Sequence, residues 1–147
     1  MGVTMTSCLW EDSSLEAGHR MDYEIRFLGG HFEITYTGEA GLDGFDSVFR
    51  DLTSHESWKA GSAVLNDYRA VDFSRLKSYA KMEALAEIIY RYREKLGRMR
   101  VADIFSEDEM RTYAKLEKTI RGYHGYEFDY YSTDDPEKAM FWLKRRA

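Results

Sequence analysis

Residues 22–37 read Asp-Tyr-Glu-Ile-Arg-Phe-Leu-Gly-Gly-His-Phe-Glu-Ile-Thr-Tyr-Thr. Tyr23, Ile25 and Phe27 alternate with Asp22, Glu24 and Arg26, and Phe32, Ile34 and Tyr36 alternate with Glu33, Thr35 and Thr37. Period-two alternation gives each of two strands one apolar and one polar face. Gly29-Gly30 joins them, and glycine reaches positive φ at little steric cost, so the stretch predicts a β-hairpin.

Downstream the periodicity changes repeatedly. Phe45, Val48, Phe49 and Leu52 recur at i, i+3, i+4 and i+7, which predicts a short amphipathic helix with Asp43 or Asp46 in its first turn. Trp58–Gly61 reads as a turn and Ala63–Tyr68 as a buried strand. Asp72-Phe73-Ser74 leads into the longest predicted helix, which runs past Tyr79, Leu85 and Tyr92 to Gly97. Met99–Phe105 is the next strand, and Ser106-Glu107-Asp108-Glu109 has the capping-box pattern ahead of a helix that stops at Gly122. Tyr126, Phe128 and Tyr130 predict a final strand. Asp135-Pro136 then opens a terminal helix with Ala139, Trp142 and Leu143 on its inner face. The order β-β-α-β-α-β-α-β-α predicts an α/β fold whose mixed sheet combines an N-terminal hairpin with parallel strands in right-handed crossovers.

A chain of 147 residues, 44% of them hydrophobic, suits one domain with one core. Its 21 Lys and Arg against 26 Asp and Glu give a net charge of −5, which opposes general nucleic-acid binding. A single cysteine excludes an internal disulfide framework. No apolar run approaches the roughly 18 residues of a membrane span, and mean hydropathy is −0.58, so the expected setting is cytoplasmic. Residues 1–20 lack periodicity and read as a flexible N-terminal tail carrying Cys8, with a single domain over 21–147 and Met21 competing with Met1 as the native start. Met1-Gly2 with Thr6 formally fits a myristoylation pattern, but nothing polybasic follows. The four histidines at 19, 31, 55 and 124 have no ligand spacing, and there is no nucleophile elbow or phosphate-binding loop. The expectation is a non-catalytic protein with no metal and no cofactor.

Several strings carry a family likeness: Trp58-Lys59-Ala60-Gly61, Val64-Leu65-Asn66-Asp67-Tyr68-Arg69, Asp72-Phe73-Ser74, Phe128-Asp129-Tyr130-Tyr131, and Glu137-Lys138-Ala139-Met140-Phe141-Trp142-Leu143. In their order and spacing they resemble the SpoIIAA-like branch of the STAS superfamily, the anti-sigma-factor antagonist fold, over residues 21–147. The resemblance implies a mixed sheet of four or five strands with helices mainly on one face. It also implies regulation by protein binding, with a serine phosphorylated at the start of the helix after the central strand. Ser74 is the matching position. The typical loop has a small residue or glycine after the serine, whereas Arg75 stands here.

Read from the residues alone, Ser74 is either an N-cap or a phosphosite beside Arg75 and Lys77, where phosphate would meet orphan backbone N–H groups. Asp67, Arg69, Asp72 and Ser74 are either a small binding crevice at the strand ends or loop caps that pair locally. Arg75, Lys77, Lys81, Arg91, Arg93, Lys95, Arg98 and Arg100 stand against Glu83, Glu87 and Glu94, so charge is polarised: a solvated face, or a docking surface for an acidic partner. Tyr131, with Arg26, Glu33, Thr35, Glu127 and Asp129, makes a candidate homodimer surface. A small-molecule or lipid carrier is the alternative reading, and it needs an apolar pocket of about 300 Å³ or more under the helices, lined by Phe45, Phe49, Tyr79 and Trp142.

Overall fold

The structure, a computed structural model, describes residues 4–6, 20–122 and 126–145. Six strands lie in the sheet in the order in which they occur in the chain: β1 (Thr4–Thr6), β2 (Met21–Phe27), β3 (Phe32–Glu39), β4 (Ala63–Asp72), β5 (Arg100–Ile104) and β6 (Asp129–Thr133). The helices are α1 (Leu42–Thr53), α2 (Tyr79–Arg91), α3 (Arg93–Leu96), α4 (Met110–Gly122) and α5 (Pro136–Lys144). Strands β2 and β3 form the antiparallel hairpin, with Ile25 opposite Ile34. Its turn closes where the Leu28 N–H donates to the His31 carbonyl at 2.9 Å, with Gly29 at φ +83°. From β3 onward every pairing is parallel, because each connection carries a helix across the sheet. The mixed α/β sheet expected from the pattern is therefore present.

One face of the sheet carries Ile25, Phe32, Ile34, Tyr36, Val64, Tyr68, Val101 and Phe128 into the main core, beneath α1, α2 and α4. Each such side chain contributes about 1.5–3 kcal/mol of burial. On the other face, among the described residues, Leu65, Ala102 and Ile104 pack on Ala139 and Leu143 of α5. Helix α5 starts as expected, since Asp135 accepts the Glu137 N–H at 2.9 Å and Pro136 occupies the first turn. Its far end is held by Arg100, whose guanidinium donates to the Trp142 carbonyl at 2.6 Å and the Leu143 carbonyl at 3.3 Å. The same guanidinium lies 4.0 Å from the Trp142 ring centre.

Several local expectations shift. The long helix is broken: Ser74–Leu76 is a 3-10 turn, and α2 begins only at Tyr79, capped by Ser78, whose hydroxyl oxygen accepts the Lys81 N–H at 3.2 Å. Phe73 and Leu76 are buried and hold the turn against the core. The delayed start rotates the apolar stripe, so Tyr79 is 71% exposed, while Met82 and Ile88 are buried in the helix proper. Ser106 makes no side-chain cap bond, and Glu107–Glu109 is a 3-10 turn ahead of α4. The last strand runs Asp129–Thr133 instead of Tyr126–Tyr130. Within the segment read as a tail, Thr4–Thr6 pairs antiparallel with β2 and adds a sixth strand. Three residues are too few to show alternation. Cys8 lies outside the described residues. Among the described residues, no helix is long and apolar enough to cross a membrane.

Gly97 sits between α3 and β5 at φ +66°, ψ −156°, a region essentially reserved for glycine. A Cβ there would lie 2.9 Å from the Ala60 Cβ and from the Gly61 nitrogen. Gly97→Ala is expected to destabilise the protein by about 1–3 kcal/mol. Urea denaturation measures this directly, and an unchanged midpoint would refute the assignment.

Candidate functional site

Strand β5 ends at Ile104, opposite Asp67, whereas β4 continues to Asp72 alongside β3. The second half of β4 thus projects past its neighbour and delivers the chain into the Ser74 turn. Asp67 accepts two guanidinium bonds from Arg69, at 3.0 and 2.7 Å, and the Arg69 backbone N–H at 3.1 Å. Partial burial opposes ionisation of Asp67, but these Arg69 contacts outweigh it and hold the carboxyl below its ordinary range. Asp72 accepts the Ser74 backbone N–H at 2.8 Å. That bond, with the Ser74 hydroxyl, lowers the Asp72 carboxyl too. Ser74, Arg75 and Lys77 are exposed, and Arg75 lies 3.6 Å from Glu39.

These residues form two local motifs. Asp67 serves Arg69 and Asp72 serves Ser74. The capping role weighed for Ser74 belongs to Ser78. The basic face is thinner than the sequence suggests: Arg93 lies over the Tyr90 ring at 3.9 Å, Arg98 reaches Asp129 at 3.2 Å, and Arg100 clasps α5. Lys77, Lys81, Arg91 and Lys95 stay exposed. Tyr131 stacks on Trp142 of α5, with ring centres 5.5 Å apart. Strands β3, β4 and β5 lie between it and Arg26 of β2, which pairs with Glu33 at 3.1 Å.

A second constellation escapes the sequence reading. Asp103, in the middle of β5, is 2% exposed. Its carboxylate accepts the Asn66 amide at 2.8 Å, the Tyr113 hydroxyl at 2.9 Å and the Tyr130 hydroxyl at 2.7 Å. The Tyr36 hydroxyl donates to the Asn66 carbonyl at 2.9 Å, and the Tyr68 hydroxyl bonds to Tyr36 in turn. Strands β3, β4, β5 and β6 and helix α4 meet in this network. It borders a cavity of about 60 Å³ beneath the helices, which Phe45 and Phe49 also line. Tyr79 and Trp142, expected to share that pocket, do not: Tyr79 faces out, and Trp142 packs with α5 on the opposite face. The volume is well below the roughly 300–1,000 Å³ of a drug-sized ligand site. The signal available in the sequence was an acid inside an otherwise apolar strand, Val-Ala-Asp-Ile-Phe, together with tyrosines at inward positions.

Burial pushes the Asp103 carboxyl up from 3.8 to about 6, with Glu117 adding to the rise and the three donors opposing it. Below pH 3.8 the group is protonated whether the chain is folded or not. As pH rises from there to about 6, the unfolded chain ionises first, and the stability that neutral Asp103 contributes is lost. The loss amounts to roughly 3 kcal/mol. Asp103→Asn abolishes it, so the stability advantage of wild type over the variant should shrink by about 2 kcal/mol between pH 4 and pH 7. Urea denaturation at both pH values measures the difference, and a constant difference would contradict the raised carboxyl.

No protein-family model and no curated protein matches the chain. Solved structures do. An anti-sigma factor antagonist from Mycobacterium paratuberculosis superposes with a TM-score of 0.55 at 13% identity, covering 89% of this chain and 100% of that one. An uncharacterised DUF3478-family protein with a SpoIIAA-like fold, from Shewanella loihica PV-4, superposes with a TM-score of 0.56 at 15% identity, covering 88% of this chain and 98% of that one. At these identities the likeness concerns the path of the chain. The hairpin, the parallel strands and the packing of α1, α2 and α4 on one face are those of the SpoIIAA-like, anti-sigma-factor-antagonist fold.

Proposed function

We propose that this chain is a regulatory module that acts by binding a protein partner through the turn after β4, and that phosphorylation of Ser74 switches the contact. The observation that carries the reading is the likeness, over 89% of the chain, to an anti-sigma factor antagonist. The local surface supports it. Tyr79 presents a 71% exposed ring directly after the turn, and tyrosine is enriched among residues that anchor interfaces. Arg75 and Lys77 flank it with positive charge, which favours fast, oriented encounter with an acidic partner.

The Asx turn supplies a switch. A phosphate on Ser74 adds about −1.5 to −2 charge next to the Asp72 carboxylate that now accepts the Ser74 N–H. Repulsion between the two opens the turn, with Arg75 and Lys77 close by in the chain to receive the phosphate. The charge change therefore moves the segment that leads to Tyr79.

Two experiments test this. Incubation with kinases from source cells, followed by phosphosite mapping, is expected to find phosphate on Ser74. Ser74→Asp is expected to change partner capture at least fivefold relative to Ser74→Ala. No phosphate there, with both variants indistinguishable, removes the switch. Separately, affinity capture with Lys77→Glu/Tyr79→Ala should retain at least tenfold less of the protein held by wild type. Equal retention would place the contact elsewhere and overturn the binding surface.

A further inference from the structure

The cavity beneath α1, α2 and α4 is distinct from the Ser74 turn, and what it suits follows from the chemistry of its walls. Its acids are Asp103 and Glu117, and no lysine, arginine or histidine is among its described lining residues. Its hydrogen-bond donors are directed inward. Tyr113, Tyr130 and Asn66 donate to Asp103, and Tyr36 donates to Asn66. Three donors occupy a carboxylate with about four acceptor sites, so one remains for a further donor. The rest of the wall is aromatic and aliphatic, including Tyr68, stacked 4.4 Å from Tyr36. Such a space repels carboxylates and phosphates and favours a positively charged donor against ring faces.

We propose that this cavity is a binding site for a small organic ammonium ion, with Asp103 as its counter-charge and the tyrosine rings as its walls. Size limits the ligand. At roughly 10–15 Å³ per water-sized site, the 60 Å³ cavity takes about four non-hydrogen atoms. The site also couples to protons. The cation pairs with ionised Asp103, the one group here whose ordinary titration is displaced toward neutrality. The facing groups from other elements are Tyr36 on β3, Asn66 and Tyr68 on β4, Tyr113 and Glu117 on α4, and Tyr130 on β6. Burial keeps these tyrosines above their ordinary range. Binding therefore releases a proton from Asp103 at mildly acid pH. The proposal does not depend on the regulatory reading, which concerns a different surface.

The test is titration of the full chain, followed by near-ultraviolet circular dichroism of its buried tyrosines. Propylammonium chloride is compared with propan-1-ol and sodium acetate, each of four non-hydrogen atoms, at constant ionic strength. Propylammonium is expected to saturate at concentrations on the order of millimolar, and at least tenfold more tightly than either of the others. Its affinity should rise roughly tenfold from pH 5 to pH 7. Asp103→Asn should abolish that pH dependence and weaken binding at least tenfold. If that variant does not fold, Val48→Leu, which narrows the cavity and leaves the Asp103 network in place, should weaken binding severalfold. No saturable propylammonium signal, or equal binding of the alcohol or acetate, would overturn the site. So would unaltered binding by the folded variants.

Discussion

The structure turns on one buried carboxylate. Asp103 lies buried on β5 between its parallel neighbours β4 and β6, where an unsolvated charge would cost several kcal/mol. The chain meets that demand with an amide from β4 and hydroxyls from α4 and β6, and Asn66 passes the connection on to β3. A one-residue slip of β5 would turn Asp103 toward α5 and place Ala102 or Ile104 against the tyrosines. The apolar face of a sheet tolerates many pairings, but this network tolerates one. It pins the register, and the aromatic stack of Tyr36, Tyr68, Phe105 and Tyr113 is arranged around it.

The two regions of interest differ in their physics. The Ser74 turn is held by short-range bonds between neighbours in the chain, on a surface where water competes for every partner. Such contacts rearrange at little cost, which suits a segment that responds to a modification. The Asp103 cluster joins residues 10 to 37 positions apart in the chain in a buried setting. It is stiff and pre-arranged, which suits discrimination of a ligand by charge.

What was legible in the sequence was whatever a local pattern encodes. The hairpin followed from alternation around Gly29-Gly30, and α5 from Asp135-Pro136, because a strand face, a turn and a cap are each decided within a few residues. Tertiary packing overruled other local signals. Phe73 and Leu76 anchor a 3-10 turn where helical spacing alone continued α2 backward, so Tyr79 exchanged an inner place for an outer one. The Ser106 box had the right residue types and did not close. Asp103 was invisible for a different reason. Its partners at positions 66, 113 and 130 come together only when the crossovers are complete, and no local periodicity marks a polar residue whose solvation is provided from so far along the chain.

Arg100 has one more consequence. Among the described residues, helix α5 covers Leu65, Ala102 and Ile104, and its satellite core is small. A single guanidinium from the sheet closes the helix's last turn, where its carbonyls would otherwise face solvent. The C-terminal helix is thus latched to the sheet by Arg100, alongside the Tyr131–Trp142 stack and a small apolar contact. Loss of this latch would uncover an apolar strip on β4 and β5, on the face opposite the Asp103 network.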